Sequence, residues 1–330
     1  MPRPALLPIP LKYSVPAFSS HRPDRSSIQM NARDTKAGGL QSDNAPMRNA
    51  RQVLVGQLEK AAAGLGDPKR TDLSIHEIRK ELKRARATLR LLRDCLGDAL
   101  YRRENSLLRD TARPLTPVRD AKVLFETLRH HDPHQGAPNP AAFARGFYVL
   151  LGERRRAAKS RLRNGDLLRA AAGLRASARR AAALPARRLA RGQASVALKS
   201  AYKSARKAFA RAYTTRTDEC LHEWRKQTKY FASEIEIVLG FGPKRFAKSC
   251  KRANKLAGQL GDDHDLALLT DEVLRHAKGA HAPGRDDTVQ ELLAHLAERR
   301  RHLQRKALRL GRRLYSDKAR RYELKRRYQQ

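Results

Sequence analysis

The 330-residue chain carries 71 Lys and Arg against 33 Asp and Glu, a formal net charge of +38. An excess of that size is silent on fold but implies an anionic partner: nucleic acid, an acidic membrane or a polyphosphate. Three scattered cysteines, Cys95, Cys220 and Cys250, supply neither a disulfide framework nor a metal spacing and fit a reducing compartment. No run of about 18 apolar residues is present, which excludes a transmembrane helix.

Residues 1–45 are rich in Pro, Ser, Arg and Gly without periodicity, and are predicted to be a disordered basic tail. Prolines at 2, 4, 8, 10 and 16 interrupt the apolar stretch that a signal peptide needs, so a cytoplasmic chain is expected. From Ala50 onward nearly every segment reads as helix. Breaks are expected at 64–68, Gly97, 114–117, 132–140, 164–165, Pro185, 240–243, Gly261 and 279–284. No segment alternates at period two over strand length, so the class is all-α, with helix lengths suited to antiparallel bundles.

The first informative helix begins near Ser74, the expected N-cap, with Glu77 three residues on completing a capping box. Ile75, Ile78, Leu82, Ala85, Leu89 and Leu92 step by 3 or 4 and define a core seam. One position on, His76, Arg79, Lys83, Arg86, Arg90 and Arg93 form a basic stripe about 100° round the helix, widened by Lys80 and Arg84. A stripe beside the seam lies at the edge of a helix–helix groove. Its cations recur once per turn, a spacing a linear polyanion can follow.

His76-Glu77-Ile78-Arg79-Lys80 returns as His222-Glu223-Trp224-Arg225-Lys226. Each copy leads to a second marker at nearly the same distance, 44 residues from His76 to Asp120 and 43 from His222 to Asp265. Matched markers at matched spacing are an internal repeat. The halves are expected at about 46–170 and 190–325, with an Ala/Arg-rich helix over 167–191 running between them. In the second copy Leu221, Trp224, Thr228, Phe231, Ile235 and Val238 form the seam, and His222, Arg225, Lys226 and Lys229 the basic edge. There the stripe stops: Arg86 corresponds to Ala232 and Arg90 to Glu236. The next helix supplies Lys244, Arg245, Lys248, Lys251, Arg252 and Lys255, where the first half has Arg102, Arg103, Arg109 and Arg113. The expectation is a shared basic cavity or groove, unequal between halves.

Two roles stand open for the histidines, an interhelical hydrogen bond or phosphate contact, where protonation would add charge. Two also stand open for Asp120, beside Arg119, and for Asp265: a carboxylate that fixes a basic partner's rotamer, or a helix cap. Asp262-Asp263-His264-Asp265 is the one acid cluster with metal potential, and grounds a minor reading as a metal-dependent phosphohydrolase. His-Glu-x-x-His, Walker, Gly-x-Ser-x-Gly and dinucleotide patterns are all missing, so neither a catalytic residue, a cofactor nor a metal is expected. Nucleic-acid binding is the stronger alternative, although aromatics are only 5% and form no stacking platform.

These segments resemble the CHAD family, the conserved histidine α-helical domain. Leu221-His222-Glu223-Trp224-Arg225-Lys226 looks like its characteristic helix, and residues 74–92 like the first-half partner. Leu260-Gly261-Asp262-Asp263-His264-Asp265-Leu266 and Val118-Arg119-Asp120-Ala121 are similar to its Asp-bearing elements, and residues 200–206 to the segment before the second histidine helix. The resemblance covers most of 46–325. It implies two pseudo-symmetric antiparallel four-helix bundles with a basic cavity between them, non-catalytic binding of inorganic polyphosphate, and association with polyphosphate granules. His76, Arg79, Lys80, Lys83, His222, Arg225, Lys226 and Lys229 carry over by position. Arg86, Arg90, Arg109, Arg119, Lys248 and Arg252 join them as expected contacts from the adjoining stripes, with Asp120 and Asp265 behind. The triphosphatase (CYTH) domain to which some members are fused has no counterpart here, so the resemblance brings no hydrolase activity. Tyr230-Phe231 and Glu236 depart from the pattern.

Overall fold

A computed structural model describes residues 45–132, 142–184, 191–240, 244–279 and 287–322; the predicted tail, residues 1–44, lies outside them. Among the described residues there are helices and no strands. In chain order they are α1 (Ala45–Gly66), α2 (Asp72–Leu91), α3 (Arg93–Leu96), α4 (Asp98–Ala112), α5 (Thr116–His131), α6 (Ala142–Ser160), α7 (Asn164–Ala182), α8 (Arg191–Thr215), α9 (Asp218–Leu239), α10 (Ala247–Gly279) and α11 (Asp287–Tyr315).

Helices α1, α2, α4 and α7 form the first bundle. Its α4–α7 contact is closed by buried Glu104, which accepts from Arg180 Nε (2.7 Å) and Ser177 Oγ (2.5 Å). Helices α8 and α9, the first half of α10 and the last half of α11 form the second. The two bundles share one continuous core. Both predicted seams are buried along their full length, including Trp224, Phe231 and Ile235. The second bundle draws especially tight at Gly311, where an added Cβ would come within 2.8 Å of the Trp224 and Phe209 rings.

The α5–α6 hairpin leaves the first bundle. It packs on the far halves of α10 and α11, with Leu128, Phe147, Leu266, Leu269 and Leu296 in a second core. The repeat is therefore visible as geometry: α1 and α2 match α8 and α9, while α4 plus α5 occupy the role of the single 33-residue α10. Pro114 stands between α4 and α5, and Pro117 in the first turn of α5, whereas Gly261 lies inside α10, where a helix break was expected. A lone glycine lowers helix propensity by only about 1 kcal/mol, and packing on both cores outweighs it. Gly97 does break the chain, at φ 78°, a left-handed conformation in which a side chain is strained.

Two further expectations shift. The helix expected over 167–191 is α7, and it closes the first bundle against α1 and α4; residues 185–190 lie outside the described residues. Helix α2 starts three residues earlier than predicted: Thr71 is the N-cap and accepts from Ser74 N (3.2 Å), and Ser74 closes the box in return. Thr217 caps α9 at the equivalent position. Glu77, freed from capping, pairs with Lys80 (3.1 Å), as Glu223 pairs with Lys226 (3.0 Å). Cys95, Cys220 and Cys250 are buried thiols outside any disulfide; burial pushes Cys95 and Cys250 up to about 11.

Candidate polyanion-binding cavity

The basic edges of α2 and α9 face each other across a solvent-open cavity of about 610 Å³. All eight repeated side chains line it: His76, Arg79, Lys80 and Lys83 from α2, and His222, Arg225, Lys226 and Lys229 from α9. Arg84 and Arg86 extend the α2 wall, and Arg119 enters from α5. Nine Lys and Arg side chains meet three carboxylates, Glu236, Asp262 and Asp265, so the interior is strongly positive.

The central cations are held in place. Arg79 Nη1 donates to the Ala112 carbonyl (2.8 Å) and the Thr116 hydroxyl (2.7 Å). Arg86 Nε donates to Asn105 Oδ1 (3.0 Å). Arg119 donates to Asp120 (3.0 Å) and Asp265 (3.3 Å), one carboxylate from each half. Asp120 and Asp265 lie inside α5 and α10, so neither is a helix cap; both orient Arg119.

Crowding shows in the proton affinities. Burial lowers Lys83 to about 7, and Lys229, Arg79, Arg119 and Arg225 add to the effect. Burial likewise lowers Lys229 to about 8, and Arg225, one turn earlier on the same helix, adds to the effect. The Lys83 side chain is still open to solvent. It stands in a concave wall, where protein displaces much of the water that a free ammonium would hold. His76 and His222 are also pulled down, first by burial and then by neighbouring cations. His264, whose ring lies 4.8 Å from that of His222, falls to about 3 for the same reasons.

Four expected contacts, Arg90, Arg109, Lys248 and Arg252, lie outside the cavity. Arg90 turns to Glu234 on α9 (3.4 Å) and over the Tyr230 ring (4.6 Å), bracing the two helices below the cavity. Neither Glu234 oxygen accepts a hydrogen bond, and burial outweighs Arg90 in raising its carboxyl to about 8. Lys248 is exposed and Arg252 reaches the Arg313 carbonyl (3.5 Å); neither lines the cavity. The basic face of early α10 is rotated away, and the face turned inward carries Asn254, Ala257, Gly258, Gly261 and Asp262. These small residues, with Ala87 and Ala232, are the part of the site that charge patterning does not mark. Their sequence signal was the Asp265 register, which places Gly261 one turn ahead of it on the same face.

Arg109 lies in an adjoining pocket of about 240 Å³, paired with Asp110 (3.2 Å). The run from Asp262 to Asp265 does not converge. Asp262 faces the cavity, Asp263 is buried against Arg300 (3.2 Å) and Gln304 (3.0 Å), and Asp265 is taken by Arg119. Among the described residues no group of three or more His, Cys, Asp and Glu is arranged to hold a metal ion.

The CHAD domain family model matches residues 50–274, two thirds of the chain, with both histidine helices inside the match. This chain belongs to the CHAD domain family. The crystal structure of the CHAD domain from the plant Ricinus communis matches at a TM-score of 0.57 and 20% identity, over 86% of this chain and 96% of that one. At that identity the likeness speaks for the CHAD fold alone. No curated protein matches the chain. None of the described helices is long and apolar enough to cross a membrane.

Proposed function

We propose that the protein binds inorganic polyphosphate in the α2–α9 cavity and does not transform it, with recruitment to polyphosphate granules as the cellular consequence. The observation that carries this reading is the convergence of all eight repeated His, Arg and Lys side chains on one cavity. Cations that lose proton affinity to one another gain most from an anion that neutralises several at once. Arg and Lys supply charge-assisted hydrogen bonds to successive phosphates, and released counterions supply much of the free energy. Nucleic acid fits less well: among the described residues lining the cavity Tyr230 is the one Phe, Tyr or Trp, and Arg90 covers its ring, which leaves no row of such rings for successive bases. A phosphohydrolase is disfavoured because the Asp262–Asp265 carboxylates point to separate partners.

The test is binding of long-chain polyphosphate near physiological salt in competition with duplex DNA, single-stranded RNA and heparin. Polyphosphate should win by a wide margin, and Arg79→Ala/Lys83→Ala should weaken it and flatten its salt dependence. Competition that follows charge density alone would return the nucleic-acid reading to first place.

A further inference from the structure

The pocket next to the cavity exposes an asymmetry that the repeat makes readable. It is walled by Arg79, Lys83 and Arg86, which also line the cavity, and by Arg109, Arg113 and Thr116 across the α2–α4 groove. Asp120 and Asp265 set the register of the two halves. Counting back 4, 7 and 11 residues pairs Thr116 with Gly261, Arg113 with Gly258 and Arg109 with Asn254. Those three second-half residues line the main cavity itself. The same groove thus exists twice. In the second half its wall carries neither arginine and is part of the cavity, alongside Glu236 and Asp262. In the first half it persists as a separate basic channel, with Arg79, Lys83 and Arg86 as the shared sill.

A linear polyanion in the cavity meets carboxylates on the second-half side and further arginines on the first. We infer that the α2–α4 groove is a second polyphosphate subsite, which takes up the chain as it leaves the cavity on the first-half side only and makes affinity depend on chain length. This rests on the polyphosphate reading of the cavity. Arg109 and Arg113 are suited to the role. Both are exposed, and both are tethered to Asp110 on their own helix (3.2 and 2.7 Å), which holds the pair beside the groove at little cost in ordering.

The experiment compares tripolyphosphate, which the cavity alone can hold, with long-chain polyphosphate. Arg109→Ala/Arg113→Ala should lower the ratio of long-chain to tripolyphosphate affinity about fivefold, the scale of two exposed charge contacts, and flatten the long-chain salt dependence. Arg102→Ala/Arg103→Ala removes the same charge from the same helix outside the groove and should leave the ratio unchanged. An unchanged ratio in the first variant, or an equal fall in the second, overturns the subsite. If Arg79→Ala/Lys83→Ala weakens neither probe, the polyphosphate reading fails and the subsite with it. If it weakens both while the Arg109/Arg113 ratio holds, the subsite alone fails.

Discussion

The two histidine helices are alike for their first three turns and different after that. Through Lys83 and Lys229 each presents the same four side chains, with the same Thr cap and the same Glu-to-Lys tether, to one cavity. Beyond that point α2 continues with Arg86 and Arg90, while α9 turns to Ala232 and Glu236. The match is confined to the centre of the cavity and is lost on its flanks. On the polyphosphate reading, cations from both halves meet over one ligand at the centre, whereas the flanks of the same cavity offer arginine on one side and a carboxylate on the other.

Reversing the centre should produce the largest effect. Lys83→Glu/Lys229→Glu is expected to reduce polyphosphate affinity by on the order of a hundredfold or more, by titration calorimetry, since it sets two like charges in the concave wall against the ligand. The neutral pair Lys83→Met/Lys229→Met should also weaken binding but raise the unfolding midpoint of the free protein by relieving repulsion. The sign follows from linkage. Both lysines are lowered, to about 7 and about 8, from 10.5. Above those values the unfolded chain binds more protons than the folded one, so stability should rise from about pH 7 to about pH 10. The Met variant should lose that rise, and the wild type should take up protons when polyphosphate binds at pH 8. A flat stability profile in the wild type would contradict the crowding.

A smaller effect comes from making the second flank resemble the first. Glu236→Arg restores the residue type of Arg90 and removes a cavity carboxylate from an exposed position. It should tighten polyphosphate binding severalfold and steepen its salt dependence by about one charge. The smallest effect is expected on early α10. Lys248→Ala/Arg252→Ala removes two cations that do not line the cavity, and should change affinity by less than about twofold; a large loss would place the ligand across a different face.

The centre of the cavity could be read from residue order because two periodicities coincided there: each seam fixed a buried face, and each basic stripe had to lie beside it. Arg90, Lys248 and Arg252 escaped because charge alone does not reveal direction. Arg90 is drawn inward by a buried carboxylate on the opposite helix, a contact between positions 144 residues apart in sequence. Lys248 and Arg252 sit on a helix whose inward face is marked by small residues, which carry no charge to betray it. The Thr71 cap and the passage of α10 through Gly261 were misplaced for a related reason. Local propensity leaves two or three competing positions for a helix end, and tertiary packing selects among them.

The buried thiols turn this architecture into a pair of clocks. Cys95 sits in α3 beside the first bundle and Cys250 near the start of α10 in the second. With their acidities pushed to about 11, almost no thiolate exists at neutral pH, and burial denies access to the thiol itself. Alkylation must therefore await local opening of the surrounding helices, and its rate at each site times the breathing of one bundle. A chain molecule gripped by both halves would slow the two clocks together, whereas one held by a single half would slow only one.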